Sequence, residues 1–170
     1  DWVAKTRAAL ESKGAELVAV ETNPVDAVWV DRPAPCLAPA VPHGLEYAGK
    51  AHEDKLTDIA AWLTARGADA AVLSALDSIA WALNIRGADV ARTPVALSYV
   101  VAKADGTVDL FIAPEKVTAE LRAHLGNRVA IRDRADFAGA LGAEFAGRKV
   151  SVDPERAVAA IFAALETGGA

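Results

Sequence analysis

An α/β fold, built as a three-layer sandwich around a mixed sheet, is what this sequence predicts, and three observations carry the prediction. Beyond about residue 46, segments with apolar residues at helical spacing alternate with short apolar runs of strand type, the pattern of a sheet covered by helices. The dipeptide Asp105-Gly106 sits between two apolar runs and accepts positive φ, so it reads as a hairpin and places one antiparallel pair in the sheet. Hydrophobic residues make up 53% of the 170 positions and charged residues 24%, enough apolar material for a core and too much for a disordered chain.

The elements follow in order. Trp2 to Lys13 carries apolar or small residues at helical spacing and stops at Gly14; Leu17 to Val20 is a short run of strand type. Asn23-Pro24 is a turn signal. Pro33, Pro35, Pro39 and Pro42 crowd the next stretch, and proline lacks an N–H and fixes φ, so helix and central strand are both excluded and an extended linker is expected. His52 to Arg66 is a helix with the stripe Leu56, Ile59, Ala60, Leu63, ended by Gly67. Ala70 to Ser74 is a buried strand, Asp77 to Leu83 a short helix, and Asn84 to Thr93 a polar loop closed by Pro94. The hairpin pairs Val95 to Ala102 with Thr107 to Ile112. Pro114 to Leu125 is a helix with proline in its first turn. Val129 to Arg132, a helix from about Arg134 to Phe145, Lys149 to Val152, and a helix from about Pro154 to Leu165 complete the series.

Composition excludes several functions. The formal net charge is −5 and the 18 basic residues are scattered, which argues against a nucleic-acid surface. No apolar run approaches the roughly 20 residues that cross a bilayer, and no signal-peptide pattern opens the chain, so no membrane partner is expected. Cys36 is the single cysteine, which forbids an intrachain disulfide and suits a reducing, cytoplasmic setting. The chain has no methionine and begins Asp1-Trp2, as an excised segment of a longer protein would.

The search for catalytic groups yields none. His43, His52 and His124 lack the spacing that brings two imidazoles onto one metal, and His52 and His124 read as surface histidines near helix termini. Cys36 has neither a helix N-terminus nor an indicated base to make it a thiolate. Glu53-Asp54 and Asp105-Asp109 read as solvated carboxylates. Gly87 and Gly106 need only be conformational. No phosphate-binding glycine loop and no nucleophile elbow is present.

One segment stands out: ALDSIAWALNIRGADVARTPVALSY, from Ala75 to Tyr99. In one reading Trp81 is core, Arg86 pairs with Asp77 or Asp89, and Asn84 caps the short helix at its C-terminal end. In the other, the loop carrying Asn84, Arg86 and Asp89 faces a cleft beside Trp81, and Arg86 recognises a carboxylate or carbonyl through its planar fork.

The string Leu76 to Val90, with Pro94 and Ser98-Tyr99, closely resembles the middle domain of three-domain Xaa-Pro aminopeptidases, of the creatinase/prolidase-like metallopeptidase family. Val28-Trp29-Val30-Asp31-Arg32-Pro33 and Leu45-Glu46-Tyr47-Ala48-Gly49 are similar to the segments leading into that domain. The resemblance implies a creatinase/prolidase N-terminal fold with a ribonuclease-H-like mixed sheet. It implies a division into residues 1–22 as the terminal helix and strand of a preceding domain, 23–45 as linker, and 46–170 as the domain itself. It also implies partners on the same polypeptide: a first N-terminal domain, and a catalytic pita-bread domain whose two Asp, one His and two Glu hold two manganese ions. The reaction implied is removal of an N-terminal residue preceding proline in proline-containing peptides, with a metal-bound hydroxide as nucleophile.

No position of this chain matches those ligands, so no metal and no catalytic residue is carried over, and the chain alone is expected to be inactive. The catalytic domain would begin after Thr167 to Ala170. Asp1 to Glu21 is expected to pack loosely or to swap onto a second copy in a homodimer. Two other classes stay open: a stand-alone binding or structural module, and a nuclease or phosphotransferase using Asp77 and Asp153, for which no third acid can be brought to the site.

Overall fold

The computed structural model describes residues 2–20 and 22–170; Asp1 and Glu21, the ends of the expected remnant, lie outside the described residues. The chain divides into two compact units, residues 1–36 and 37–170.

In the first unit, helix α1 (Trp2–Glu11) ends in a turn at Gly14, whose φ of 71° is open to glycine. A short helix α2 (Pro24–Val28) follows, with the Asn23 side chain accepting from the Val25 N–H at 2.9 Å and proline in its first turn. The expected strand at Leu17 to Val20 is not formed. Val18 and Val20 are exposed, and a strand without a neighbour leaves its backbone groups to water. No described residue of this unit is buried.

The second unit begins with a two-residue strand β1 (Val41–Pro42), so the proline-rich stretch does contain a strand. Proline is tolerated because β1 has a single neighbour. Next come α3 (Leu45–Ala48), α4 (His52–Ala65), β2 (Ala70–Leu73), α5 (Leu76–Leu83) and β3 (Ile85–Arg86), the partner of β1. The hairpin is β4 (Ser98–Lys103) and β5 (Val108–Ile112), turning at Gly106 with φ 84°. After it lie α6 (Ala119–Leu125), β6 (Val129–Asp133), α7 (Phe137–Glu144), β7 (Val150–Val152) and α8 (Ala159–Thr167).

Three helices differ from expectation at their starts. Pro114–Lys116 forms a single 3₁₀ turn; Val117 is extended, and α6 begins only where the Thr118 hydroxyl accepts from the Leu121 N–H at 3.0 Å. A 3₁₀ turn at Arg134–Asp136 likewise precedes α7. Pro154 does not start α8, because the Asp153 carboxylate takes the Glu155 N–H and closes a separate turn first.

The main sheet has five strands in the order β6-β5-β4-β2-β7. β4 runs antiparallel to both β2 and β5, while β5–β6 and β2–β7 are parallel, so the sheet is mixed with one reversed strand. Strand alternation splits the core in two. Val100, Ala102, Val108, Leu110 and Ile112 meet Leu56 of α4, Ile79 and Leu83 of α5, and Leu121 and Leu125 of α6 on one face. Val101 and Phe111 meet Phe137 and Leu141 of α7 and Ile161 and Leu165 of α8 on the other. This is the three-layer sandwich, and each fully buried aliphatic side chain in it contributes about 1.5–3 kcal/mol. Every residue of β5 is buried; its one charge, Asp109, is held at 2.8 Å by Lys103.

Candidate functional site

The segment singled out in the sequence forms a corner where α5 ends against α4. Asn84 terminates α5 in the left-handed conformation, φ 49° and ψ 52°, which asparagine tolerates better than most residues. Its capping role is therefore as one reading had it. Its side chain is buried and used at both ends: Nδ2 donates to the Lys50 carbonyl at 2.9 Å, and Oδ1 accepts from Lys55 Nζ at 2.6 Å. Lys55 Nζ also donates to the Trp81 carbonyl at 2.9 Å and lies 4.6 Å from the Trp81 ring centroid.

Trp81 is not core. It is 53% exposed and forms one wall of an open groove of about 490 Å³, shared with Ile59, Leu73, Asp77 and Ser78. The reason is position: Ile79, Ala80, Ala82 and Leu83 already fill the buried face of α5, which leaves Trp81 on the other side.

Arg86 pairs with neither Asp77 nor Asp89. Its Nη1 donates to the Ala80 carbonyl at 3.0 Å and the Ile85 carbonyl at 2.8 Å, folding the half-buried guanidinium back over the end of α5. Asp77 instead takes Arg156 at 3.3 Å. The Asp89 carboxylate is buried, accepting from the Leu97 N–H at 2.5 Å and pairing with buried Lys116. Thus Trp81, Asn84 and Arg86 come together, whereas Asp89 lies behind them as the clasp of the loop.

Among the described residues neither Lys55 nor Arg86 has a carboxylate partner. Burial, then the Arg86 and Lys50 charges, push the Lys55 ammonium below its ordinary value. Sequence reasoning missed Lys55, although a signal existed: it stands four residues before Ile59, inside the apolar stripe of α4. Gly87 was also undervalued. A Cβ there would sit 2.7 Å from the Ala96 backbone, so only glycine lets the loop approach so closely.

The histidines depart from expectation too. His52 is buried, and its ring packs against that of His124, tilted by 36° with centroids 4.6 Å apart. Helix ends are usually exposed, but here the start of α4 abuts the end of α6, which covers His52.

The corner offers donors and an aromatic surface, which is equipment for binding. Among the described residues, no three His, Cys, Asp or Glu side chains converge as metal ligands. Among the described residues, no helix is long and apolar enough to cross a membrane.

The fold is a helix-covered, mixed-sheet α/β domain whose exposed Trp81 stands at the corner between α4 and α5. The chain belongs to the creatinase/prolidase N-terminal domain family, whose model matches residues 31–170. Among curated relatives, a probable Xaa-Pro aminopeptidase P of Aspergillus niger is 43% identical over 124 residues, covering 72% of this chain and 20% of that protein. One from Talaromyces marneffei is 40% identical over the same length. The chain therefore spans about a fifth of the length of the curated relatives it matches. Among solved structures, X-prolyl aminopeptidase from Caenorhabditis elegans, described as a cytosolic enzyme with a di-nuclear active site, superposes with a TM-score of 0.79 at 31% identity. That match covers 84% of this chain and 23% of that one. An N-terminal creatinase/prolidase-like domain from Corynebacterium diphtheriae shares the fold at a TM-score of 0.51 and 13% identity, covering 70% of this chain and 89% of that one.

Proposed function

We propose that this chain is a non-catalytic accessory domain of a metal-dependent Xaa-Pro aminopeptidase, and that its Trp81–Arg86 corner shapes the substrate cleft and the packing between domains. In this reading the parent enzyme removes an N-terminal residue preceding proline. Its partners are a first N-terminal domain and a catalytic pita-bread domain of the same polypeptide, and the catalytic domain holds two manganese or similar ions. Residues 1–22 belong to the preceding domain, 23–45 link it, and 46–170 form the accessory domain. The single reversed strand in a sheet covered on both faces supports the ribonuclease-H-like description.

The observation that carries the proposal is the uncompensated charge at the corner. Arg86 uses one nitrogen on two carbonyls, has no carboxylate among the described residues, and stands beside a second such cation and an exposed tryptophan. A guanidinium so held in place is suited to a carbonyl or carboxylate on a surface that covers the corner.

The test is Arg86→Ala in the full-length enzyme. Loss of a charge-assisted hydrogen bond should lower kcat/KM on Xaa-Pro peptides about tenfold or more, at unchanged thermal stability of the domain. Unchanged kcat/KM with unchanged stability would end the cleft assignment.

A further inference from the structure

The pair of buried His52 and half-buried His124 has no part in the proposed corner, yet it adjoins it. His52 is the first residue of α4, and Lys55 follows one turn later. His124, in the last turn of α6, places Nε2 2.9 Å from the carbonyl of Leu83, the residue before Asn84. A carbonyl only accepts, so Nε2 of neutral His124 carries the proton. His52 Nδ1 lies 3.1 Å from the Glu53 carboxylate and so carries its own. That leaves His52 Nε2 as a bare lone pair, buried and without a hydrogen-bond partner. A proton added to His52 would put a buried charge on a ring packed 4.6 Å from a second imidazole.

We infer that the His52–His124 ring contact is an acid-sensitive latch: taking up a proton at His52 separates the start of α4 from the end of α6 and loosens the Asn84–Lys55 corner. The groups facing His52 make the balance clear. Burial opposes the proton most strongly; Glu53 favours it; His124 opposes it; the Leu125 carbonyl at the end of α6 favours it; Arg128 opposes it. The net effect lowers the His52 value below its ordinary 6.5. The unfolded or opened form therefore binds the proton first. The stability this neutral ring contributes is complete above pH 6.5 and is lost as pH falls from there through the folded value. The inference stands on this packing alone and does not depend on the aminopeptidase reading.

Amide exchange of the 170-residue chain tests it between pH 7 and 5. After correction for intrinsic rates, protection at Lys55 in α4 and Leu125 in α6 should fall with acid, at a slope approaching tenfold per pH unit for one linked proton. Leu141 and Leu165, on the other face of the sheet, should hold theirs. His52→Phe keeps a ring in the contact and cannot titrate, so its exchange at Lys55 should be flat with pH. An acid slope that survives in His52→Phe overturns the latch. Should that variant fail to fold, ring-proton NMR of the unaltered chain decides. A His52 that titrates near 6.5 without faster exchange at Lys55 overturns the latch; one that stays neutral until exchange accelerates supports it.

Discussion

At the scale of single residues, Lys55 shows how a charge can be buried without a counter-ion. Its three donors are spent on the Asn84 amide oxygen, the Trp81 carbonyl and the Trp81 ring, so no N–H is wasted. The cost of removing it comes from what is left behind, since Asn84 Oδ1 and the Trp81 carbonyl would each lose a donor. An unsatisfied buried polar atom costs about 1–3 kcal/mol, so Lys55→Ala should lower unfolding free energy by about 2–5 kcal/mol in urea titration. The loss should be coupled to Asn84. In a double-mutant cycle with Asn84→Ala, the combined loss should fall short of the sum by about 1 kcal/mol or more. Strict additivity would mean that the 2.6 Å bond contributes nothing.

At the scale of elements, the loop between β3 and β4 is secured by a clasp that no periodicity announces. Gly87 lets it lie against Ala96, and Asp89 then reaches back to the Leu97 N–H and across to Lys116 in the 3₁₀ turn before α6. Asp89 and Lys116 side chains are 0% and 3% exposed, so their pairing offsets part of each one's lost hydration. Breaking one side alone should therefore be severe: Lys116→Met leaves a buried carboxylate and should cost about 3–5 kcal/mol. Asp89→Asn together with Lys116→Met removes both charges and should be the more stable of the two variants by chemical denaturation. A double variant less stable than Lys116→Met would show that Asp89 acts chiefly through some contact other than this ion pair.

At the scale of the whole molecule, what was legible in the sequence is what local physics decides. The hairpin at Asp105-Gly106, the stripe Leu56-Ile59-Leu63, the strand at Ala70 and the Asn84 cap all follow from spacing and turn chemistry, and all are present. What was not legible depends on partners distant in sequence. Trp81 faces out because its neighbours fill the inner face of α5, Arg86 finds carbonyls where carboxylates were expected, and His52 is buried by α6, 72 positions along. Leu17 to Val20 is the converse case: the strand propensity is there, but among the described residues it has no strand to pair with. The same contrast sets the last prediction. Both core clusters are built from residues between Ala40 and Leu165, and no described residue before Leu37 is buried. Burial of apolar surface is the dominant favourable term in folding, so residues 1–36 should add little to the stability of residues 37–170. A chain cut to residues 37–170 should melt within about 2 °C of the whole chain, a shift that corresponds to less than about 1 kcal/mol at this size. Trypsin should reach Lys5, Arg7 and Lys13 well before any site in the sheet, because cleavage needs a segment that opens at low cost. A drop of 5 °C or more on truncation, or protection of those three sites equal to that of Lys103 in β4, would mean that the first unit is held by burial after all.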